Sequence, residues 1–455
     1  MGSTSRSNVT PPEITDWQKV SLIDAGHFDA HTAYAAVNGI RTDDMHPHIY
    51  KTHDGGKTWT AITNGLPDGP INVVREDPHH RGLLLAGSEQ CVYVSFDDGG
   101  HWESLRLNMP ATSIRDLVFK DADVVVGTHG RSFWILDDIS PLRQLAGGKA
   151  VADAVLYKPE PAIRIRWDMY TDTPLPGDEP AGENPPDGAI IDYYLKGDES
   201  TPVTLEILDG AGKQVRHYSS TDTLYTVPDV NIPTYWIRPQ QILSAAAGPH
   251  RFLWDLHYQP LNVPPSYPIG AVVGNTAPSP TSPWVTPGVY TLKLTAGGKT
   301  YTQPLTVRMD PRVKTPVATL QQQHDLALAA YHGRVRAMEA VEKIRALRTR
   351  IAASIPQASG DRLTALQQLD ARAAALEGQG RRFGRGAAAP APFGPVSFSQ
   401  LQGDYATIFT VLEEADLAPT VQAQSALQTT ELAARNTDAA WTALQQEATK
   451  LNIAP

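Results

Sequence analysis

The sequence contains little of what marks several common classes of protein. It has one cysteine, Cys91, so no disulfide can form within the chain, and a lone cysteine of this kind is expected to be a small buried apolar residue. No stretch approaches the roughly 20 apolar residues of a membrane-spanning helix. The start, from Met1 to Thr10, is polar and lacks the apolar segment of a signal peptide.

Positive charge is also scarce. The chain has 39 Lys and Arg residues against 49 Asp and Glu residues, which gives a formal net charge of −10. Such a chain does not attract nucleic acid or anionic lipid over long range, so we expect neither as a partner. Apolar residues make up 41% and charged residues 19% of the 455 residues, a globular composition long enough for about three domains.

A repeat is visible between residues 17 and 146, where short β-prone segments alternate with Gly, Asp, Asn and Pro. The sequence THDGGKTW from Thr52 recurs as SFDDGGHW from Ser95, a spacing of 43 residues. One four-stranded propeller blade has a period of about 40–45 residues. The flanks align as well, with Tyr34–Val37 matching Leu84–Gly87, and a degenerate third copy follows between residues 114 and 138. We therefore predict a partial β-propeller of about three blades over residues 17–146.

Residues 155–310 are again β-prone but carry no repeat. Val203–Leu208 leads into Asp-Gly-Ala-Gly at 209–212, which is a hairpin signal. Further short apolar runs occur at 251–255 and 288–294. Spaced short strands with turn residues between them predict a β-sandwich.

The period changes to that of a helix from residue 319 onward. Four stripes of apolar residues at spacings of three and four begin at Tyr331, Leu363, Phe398 and Leu427. One-sided apolar faces predict a helical bundle over residues 319–455. We expect the Gly-, Ala- and Pro-rich segment 378–395 to be a mobile loop, and residues 1–16 to be a disordered linker.

The two copies of Ser/Thr-x-Asp-x-Gly-x-x-Trp resemble the Asp-box (BNR) motifs of sialidases, xyloglucan-active glycosidases and the sortilin propeller. Together with the segments 74–78 and 128–138, they resemble large bacterial proteins usually named "glycosyl hydrolase" or "sortilin-like". In these proteins a long propeller precedes a sandwich and a helical tail. The stretch 203–310 is similar to the Ig-like domain of the flagellar-hook-cap (FlgD) type. The resemblance implies a multidomain protein in which mainly β-domains are followed by an α-helical part. It also implies that the protein works outside the cytoplasm, in the periplasm or as a secreted protein.

We predict that the Asp boxes are scaffold. The carboxylates of Asp54 and Asp97 would accept hydrogen bonds from turn amides in the hairpin between the third and fourth strands of a blade. The tryptophans would pack between neighbouring sheets. The residues assigned to this structural role are Asp54, Gly56, Trp59, Asp97, Gly99 and Trp102.

The opposite face of the blades is the better candidate for a binding surface. It would be built from the loops that join second to third strands, where guanidinium groups can grip carboxylates bidentately. The candidate ligand-binding residues are Arg41, His46, His48, Arg115, His129 and Arg131. An ordinary polar rim is the alternative for the same residues.

A glycosidase needs two carboxylates about 5–10 Å apart, one with a raised pKa. The carboxylates that could serve on this face are Asp43, Asp44, Glu89 and Asp116, but no spacing rule selects a pair. The histidine pairs His46/His48 and His79/His80 fall short of the three or four ligands of a closed metal site, so we predict no metal and no cofactor.

The sequence therefore predicts a non-catalytic binding or scaffold protein with a protein, peptide or carbohydrate partner, and the C-terminal part of a longer protein. The alternative is a glycoside hydrolase, or part of one, that acts through the same face. Because a propeller closes with about four to eight blades, the outer flanks of three blades need further blades. These would come from a preceding part of the polypeptide or from another copy. The residues expected on the open flanks are Trp17, Val20, Leu22, Phe133, Trp134 and Ile135.

Overall fold

The structure is a computed structural model that describes residues 9–11, 13–146, 152–166, 182, 184–230, 232–267, 274–378 and 395–453. Most of the predicted mobile loop at 378–395, and more than half of the predicted linker at 1–16, therefore lie outside the described residues. The described strands end at Met309 and a long helix begins at Val317, so the structure contains both β-sheets and helices.

Three antiparallel sheets follow one another in the first part of the chain. Sheet 1 runs in the order β1-β2-β3-β4, sheet 2 in the order β5-β6-β7-β8 and sheet 3 in the order β9-β10-β11. Their strands are β1 (Lys19–Ala25), β2 (Ala33–Asn38), β3 (His48–Thr52), β4 (Thr60–Ala61), β5 (Ile71–Glu76), β6 (Leu84–Ser88), β7 (Val92–Ser95), β8 (Glu103–Ser104), β9 (Ile114–Lys120), β10 (Asp123–Thr128) and β11 (Phe133–Leu136). A short helix, α1 (Ser140–Ala146), comes next.

The three sheets repeat the same internal register. The first strand of each has an irregularity near its start, between Val20 and Leu22 in sheet 1 and between Ile71 and Val73 in sheet 2. Beyond it, Leu22 pairs with Ala36 and Val73 pairs with Gly87. Ala36 is thus equivalent to Gly87, which shifts the flank alignment predicted from the sequence by one residue. The loop after β2 is longer than the loop after β6, and this difference is invisible to a fixed-period alignment.

Neighbouring sheets are held together by apolar clusters. Sheets 1 and 2 share one that includes Tyr34, Ile49, Val74 and the fully buried Trp102. Sheets 2 and 3 share a second, which is built from alternate residues of strands β5–β7 and β9–β11. The sheets therefore stack in series, with sheet 2 packed between sheets 1 and 3.

Two further sheets enclose a common core in the middle of the chain. One has the strand order β12-β14-β17 and the other β13-β19-β18-β15-β16. Burial alternates along β14, as expected for a strand with one face on the core. Trp254 is fully buried there. The strands are β12 (Ala154–Leu156), β13 (Ala162–Arg164), β14 (Ala189–Leu195), β15 (Thr204–Leu208), β16 (Gln214–Ser219), β17 (Gly248–Trp254), β18 (Gly288–Ala296) and β19 (Lys299–Met309).

Four helices share a separate core in the last part of the chain. They are α2 (Val317–Ser354), α3 (Gly360–Glu377), α4 (Phe398–Glu413) and α5 (Val421–Lys450). Each contains one of the four apolar stripes, and the stripes meet in one cluster. Gly333 lies so close to Tyr405 that a Cβ there would be 2.3 Å from its ring, which explains the glycine in mid-helix. None of the described helices combines the length and the apolar character that crossing a bilayer requires.

Charged groups are buried where the helices meet the middle sheets. Arg164 pairs with Asp416, and both are more than nine-tenths buried. Arg166 Nε lies 2.9 Å from Asp416 Oδ1, and both guanidinium groups lie over the ring of Trp284. Because a buried charge is costly unless it is paired, these contacts fix how the helices sit on the sheets.

Candidate binding site

The loops that join second to third strands lie at one end of sheets 1–3. They comprise residues 39–47 between β2 and β3, Glu89 and Gln90 between β6 and β7, and residues 129–132 between β10 and β11. Because the sheets are antiparallel meanders, the Asp-box turns between third and fourth strands lie at the other end. The sequence-predicted candidates therefore share one end of the three sheets, where they form separate groups.

The first group centres on Asp44 in sheet 1. Its Oδ2 lies 2.7 Å from His48 Nε2 and accepts a hydrogen bond of 2.8 Å from Gln18, while its Oδ1 accepts from the backbone N–H of His46. These bonds, first that of His46 and then that of His48, lower the pKa of Asp44. The ring of His46 turns away to Asp68, 3.0 Å from its Oδ1. Asp44 is thus a paired carboxylate that orders the 39–47 loop.

The second group is a hydrogen-bonded ladder that crosses all three sheets. Asn38 at the end of β2 donates to Asn72 in β5 over 2.7 Å, and Asn72 donates to Glu89 Oε1 over 3.0 Å. Arg115 in β9 donates to the same oxygen over 3.1 Å. Burial alone would raise the pKa of Glu89, but its hydrogen bonds and the nearby charges of Arg115 and His129 lower it. We call Asn38, Asn72, Glu89 and Arg115 the polar ladder.

Asp116 belongs to a third group. It accepts a hydrogen bond of 3.1 Å from Arg75, which also donates to Asp24 of sheet 1 over 3.0 Å. Arg75 thus ties three sheets together in the same way as the polar ladder. Neither Arg75 nor the two asparagines were among the sequence-predicted residues, because single polar residues within strands carry no periodic signal.

The remaining candidates lie at the surface of this end. Arg41 and Asp43 sit in and just after a short 3₁₀ turn, and Asp43 adopts a left-handed conformation with φ of 60°. His129 and Arg131 are exposed in the loop before β11, where the backbone of His129 donates to Ser113 in the segment before β9. The structure therefore brings His129 close to Glu89 and Arg115, and places Arg41 and Asp43 in the loop of sheet 1.

The two Asp-box turns have matching hydrogen bonds at the opposite end. Asp54 Oδ1 accepts from the backbone N–H of Thr58 over 2.9 Å, and Asp97 Oδ1 accepts from that of His101 over 2.8 Å. The bonds with Thr58 lower the pKa of Asp54 to about 2. The glycines Gly56 and Gly99 have φ of +84° and +83°, values that favour glycine. These carboxylates are engaged inside their own turns.

A cleft of ≈ 190 Å³ lies beside these turns, between sheets 1 and 2. Asp98 accepts hydrogen bonds from Tyr34 over 2.7 Å and from Lys51 over 2.8 Å, and His53 Nε2 lies 3.2 Å from its Oδ2. Burial, followed by the contact with Asp98, raises the pKa of Tyr34. The sequence did not single out Asp98 for a role. The oxygens of Asp98 are shared among Tyr34, Lys51 and His53. These contacts link sheets 1 and 2 across the cleft.

No three His, Cys, Asp or Glu side chains within the described ranges lie close enough together to hold a metal ion. Cys91, directly before β7, is buried and contacts the hydroxyl of Ser104.

No protein-family model and no curated protein matches the sequence. Similar solved structures include a GH74 enzyme from Niastella koreensis, 15% identical over 39% of this chain with a TM-score of 0.23. They also include the GH74 xyloglucanase from Xanthomonas campestris, 17% identical over 44% of this chain with a TM-score of 0.22. The matched parts cover 28% of each enzyme, so this chain spans well under a third of their length. Likeness at this level assigns neither a family nor an activity.

Proposed function

We propose that the chain is a non-catalytic binding or scaffold protein of the sortilin-like Asp-box propeller type that works outside the cytoplasm. Sheets 1–3 would be consecutive blades, residues 155–310 an Ig-like sandwich and residues 319–455 a helical bundle. Two four-stranded meanders with equivalent registers and equivalent Asp-box turns support the propeller interpretation. The extracytoplasmic location rests on the resemblance of the sequence motifs alone.

The pairing of the carboxylates at the candidate end carries the proposal. Asp44 is bonded to His48, Glu89 to Arg115 and Asp116 to Arg75. A glycosidase needs one carboxyl group with a raised pKa to protonate the leaving group. The pKa values of Asp44 and Glu89 are lowered instead, which suits groups that order loops and bind ligands.

The polar ladder is the part of this end best suited to hold a ligand. The side chain of Arg115 is 49% exposed although it is bound to Glu89, so part of its guanidinium group faces solvent. His129 lies close to Glu89, and both His129 and Arg131 of the same loop are exposed. Such a surface would take a carboxylate-bearing peptide or a carbohydrate that offers hydroxyl and carboxyl oxygens.

The experiment is a binding screen of the purified chain against acidic peptides and acidic oligosaccharides, followed by calorimetry on the best ligand. Arg115→Ala should weaken binding by about tenfold or more, the loss expected for one charge-assisted contact. Arg336→Ala is the matched control, because Arg336 is 55% exposed and paired with Glu431 on the helices. Equal effects of the two substitutions would contradict a site at the polar ladder.

A further inference from the structure

Sheet 2, the middle sheet of the series, presents one apolar row to sheet 1 and another to sheet 3. In sheet 2 the paired residues Val74, Ala86 and Tyr93 face sheet 1. The neighbouring row, which includes Leu85 and Val94, faces sheet 3. The register assigns equivalent rows to the other two sheets.

Apolar side chains are exposed on both outermost faces of the series. In sheet 3 the row equivalent to Leu85 and Val94 is Val118, Val125 and Ile135. Ile135 is 59% and the nearby Phe133 79% exposed. In sheet 1 the row equivalent to that of Val74 is Ile23, Ala35 and Tyr50, of which Ile23 is 62% exposed while Ala35 and Tyr50 are buried.

Two of the residues expected from the sequence on these flanks lie elsewhere. Leu22 and Trp134 pack against the cluster between sheets 2 and 3. Alternation along a strand sends neighbours to opposite faces, so consecutive residues cannot all lie on the open one.

Val9 holds the position that Ile62 holds in the repeat. The indole N–H of Trp102 donates to the Ile62 carbonyl over 2.7 Å, and that of Trp59 donates to the Val9 carbonyl over 2.6 Å. A Cβ on Gly99 would lie 2.8 Å from Ile62 Cβ, and one on the equivalent Gly56 would lie 2.9 Å from Val9 Cβ. Ile62 follows the fourth strand of sheet 1 and packs on sheet 2. Val9 therefore takes, against sheet 1, the position of a residue that follows the fourth strand of a preceding sheet.

In sheets 1 and 2 the backbone N–H of the residue after the fourth strand donates to a carbonyl of the third strand. The N–H of Ile62 donates to the Ile49 carbonyl over 2.9 Å, and the N–H of Leu105 donates to the Val92 carbonyl over 2.8 Å. Phe133 is the equivalent of Ile49 and Val92 in sheet 3, by its register with Gly127. Within the described part of the chain, sheet 3 has three strands and no fourth beyond β11.

We propose that the outer row of sheet 3 in one copy packs on the outer row of sheet 1 in a second copy, with Val9 of that second copy bonded to the Phe133 carbonyl. The contact repeats the packing already present between sheets 1 and 2 and between sheets 2 and 3. Three sheets from each copy give about six, within the range in which propellers close. The inference rests on the propeller interpretation made above.

Two-fold symmetry closes this assembly at two copies. Each copy contributes both ends, so the contact forms twice and covers Phe133 and Ile135 of sheet 3 and Ile23 of sheet 1 in both copies. Because exposed apolar groups drive association in water, Ile23, Phe133 and Ile135 are the side chains that such an interface would cover.

Light scattering of the purified chain tests the proposal. We expect twice the 49.4 kDa chain mass at about micromolar concentration. The double variant Phe133→Asp, Ile135→Asp should weaken dimerisation by about 100-fold or more, since it places charge in the centre of an apolar contact. Leu432→Asp is the control, because Leu432 is 56% exposed on α5 and lies outside sheets 1–3. A monomer, open polymers, or a dimer unaffected by the double variant would overturn the proposal.

A disulfide trap tests the register independently of stability. Chains carrying Val9→Cys should cross-link to chains carrying Phe133→Cys when mixed and oxidised, and the native Cys91 is buried and should not interfere. Neither variant alone should give this product. Cross-linking absent from a dimeric sample would contradict the assigned register. Because ligand binding at the polar ladder is measured separately, loss of binding with an intact dimer would refute the proposed function alone.

Discussion

Replacing Trp102 by alanine should destabilise the first two sheets far more than the same change at Trp59, its counterpart in the repeat. Trp102 is 1% exposed and is enclosed between sheets 1 and 2. Removing a fully buried large side chain costs about 3–5 kcal/mol of unfolding free energy. Its indole also donates to the Ile62 carbonyl, and losing that bond is expected to contribute about 1 kcal/mol within that range. We therefore expect about 4 kcal/mol.

Trp59 is only partly buried and is covered by the segment at Val9 in place of a complete sheet. Its removal should cost less than about 2 kcal/mol, because less apolar surface returns to water. Trp102→Phe keeps an aromatic ring but removes the hydrogen bond, and should fall between the two alanine variants.

Hydrogen exchange followed by mass spectrometry is the suitable assay, because a chain of several structural units need not unfold in one step. Amides of β5, β6 and β7 should lose protection in Trp102→Ala, while those of α2 and α5 keep theirs. Equal losses in Trp59→Ala and Trp102→Ala would refute the assignment of the second Asp box as an inter-sheet anchor.

Three further outcomes follow from particular contacts. Asp97→Ala should lower the unfolding free energy by about 1 kcal/mol in a urea titration, because the exposed carboxylate loses its bonds to His101 and Ser95. The ligand affinity per folded molecule should be unchanged. Lost binding at unchanged stability would contradict the scaffold role. Burial lowers the pKa of His257 below 6.5, so the unfolded chain takes up a proton before the folded one does and stability should decline as the pH falls below about 6.5. The decline of stability with falling pH should be shallower in His257→Gln. Equal slopes in the variant and the original chain would contradict a role of His257 in this decline. Gly333→Ala should lower the melting temperature of the helical part by several degrees, because its Cβ would meet the ring of Tyr405, whereas Gly403→Ala on the same pair of helices has open space and should not.

The sequence was most informative where structure repeats. The spacing of Asp54 and Asp97 matches two sheets. Each of the four apolar stripes lies within one of the four helices, although the first stripe begins at Tyr331, well after the start of α2 at Val317. The alignment of Tyr34 with Leu84 failed by one residue, because the long loop at 39–47 breaks the period. A slip of one residue exchanges the two faces of a strand, so the rows between sheets could not be assigned without the pairing.

The contacts between distant segments could not be predicted from one sequence. Asn38 and Asn72 are 34 residues apart, and Arg164 and Asp416 are 252 apart. Nothing in the local pattern of either pair distinguishes it from solvated surface residues. The candidate loops were predictable because strand order places them at one end. Which side chains pair there depends on how adjacent sheets are offset, and only the three-dimensional structure provides that.

A hydrolysis assay tests the central claim most directly. The purified chain, at about micromolar concentration and over a broad pH range, should release no more product from aryl glycosides and sialosides than a control without protein. The physical reason is that hydrogen bonds from their partners lower the pKa of Asp44 and Glu89, which disfavours the protonated form that a general acid needs. Turnover that disappears in Asp43→Ala, Asp44→Ala, Glu89→Ala or Asp116→Ala would contradict the non-catalytic assignment and make the chain a glycoside hydrolase.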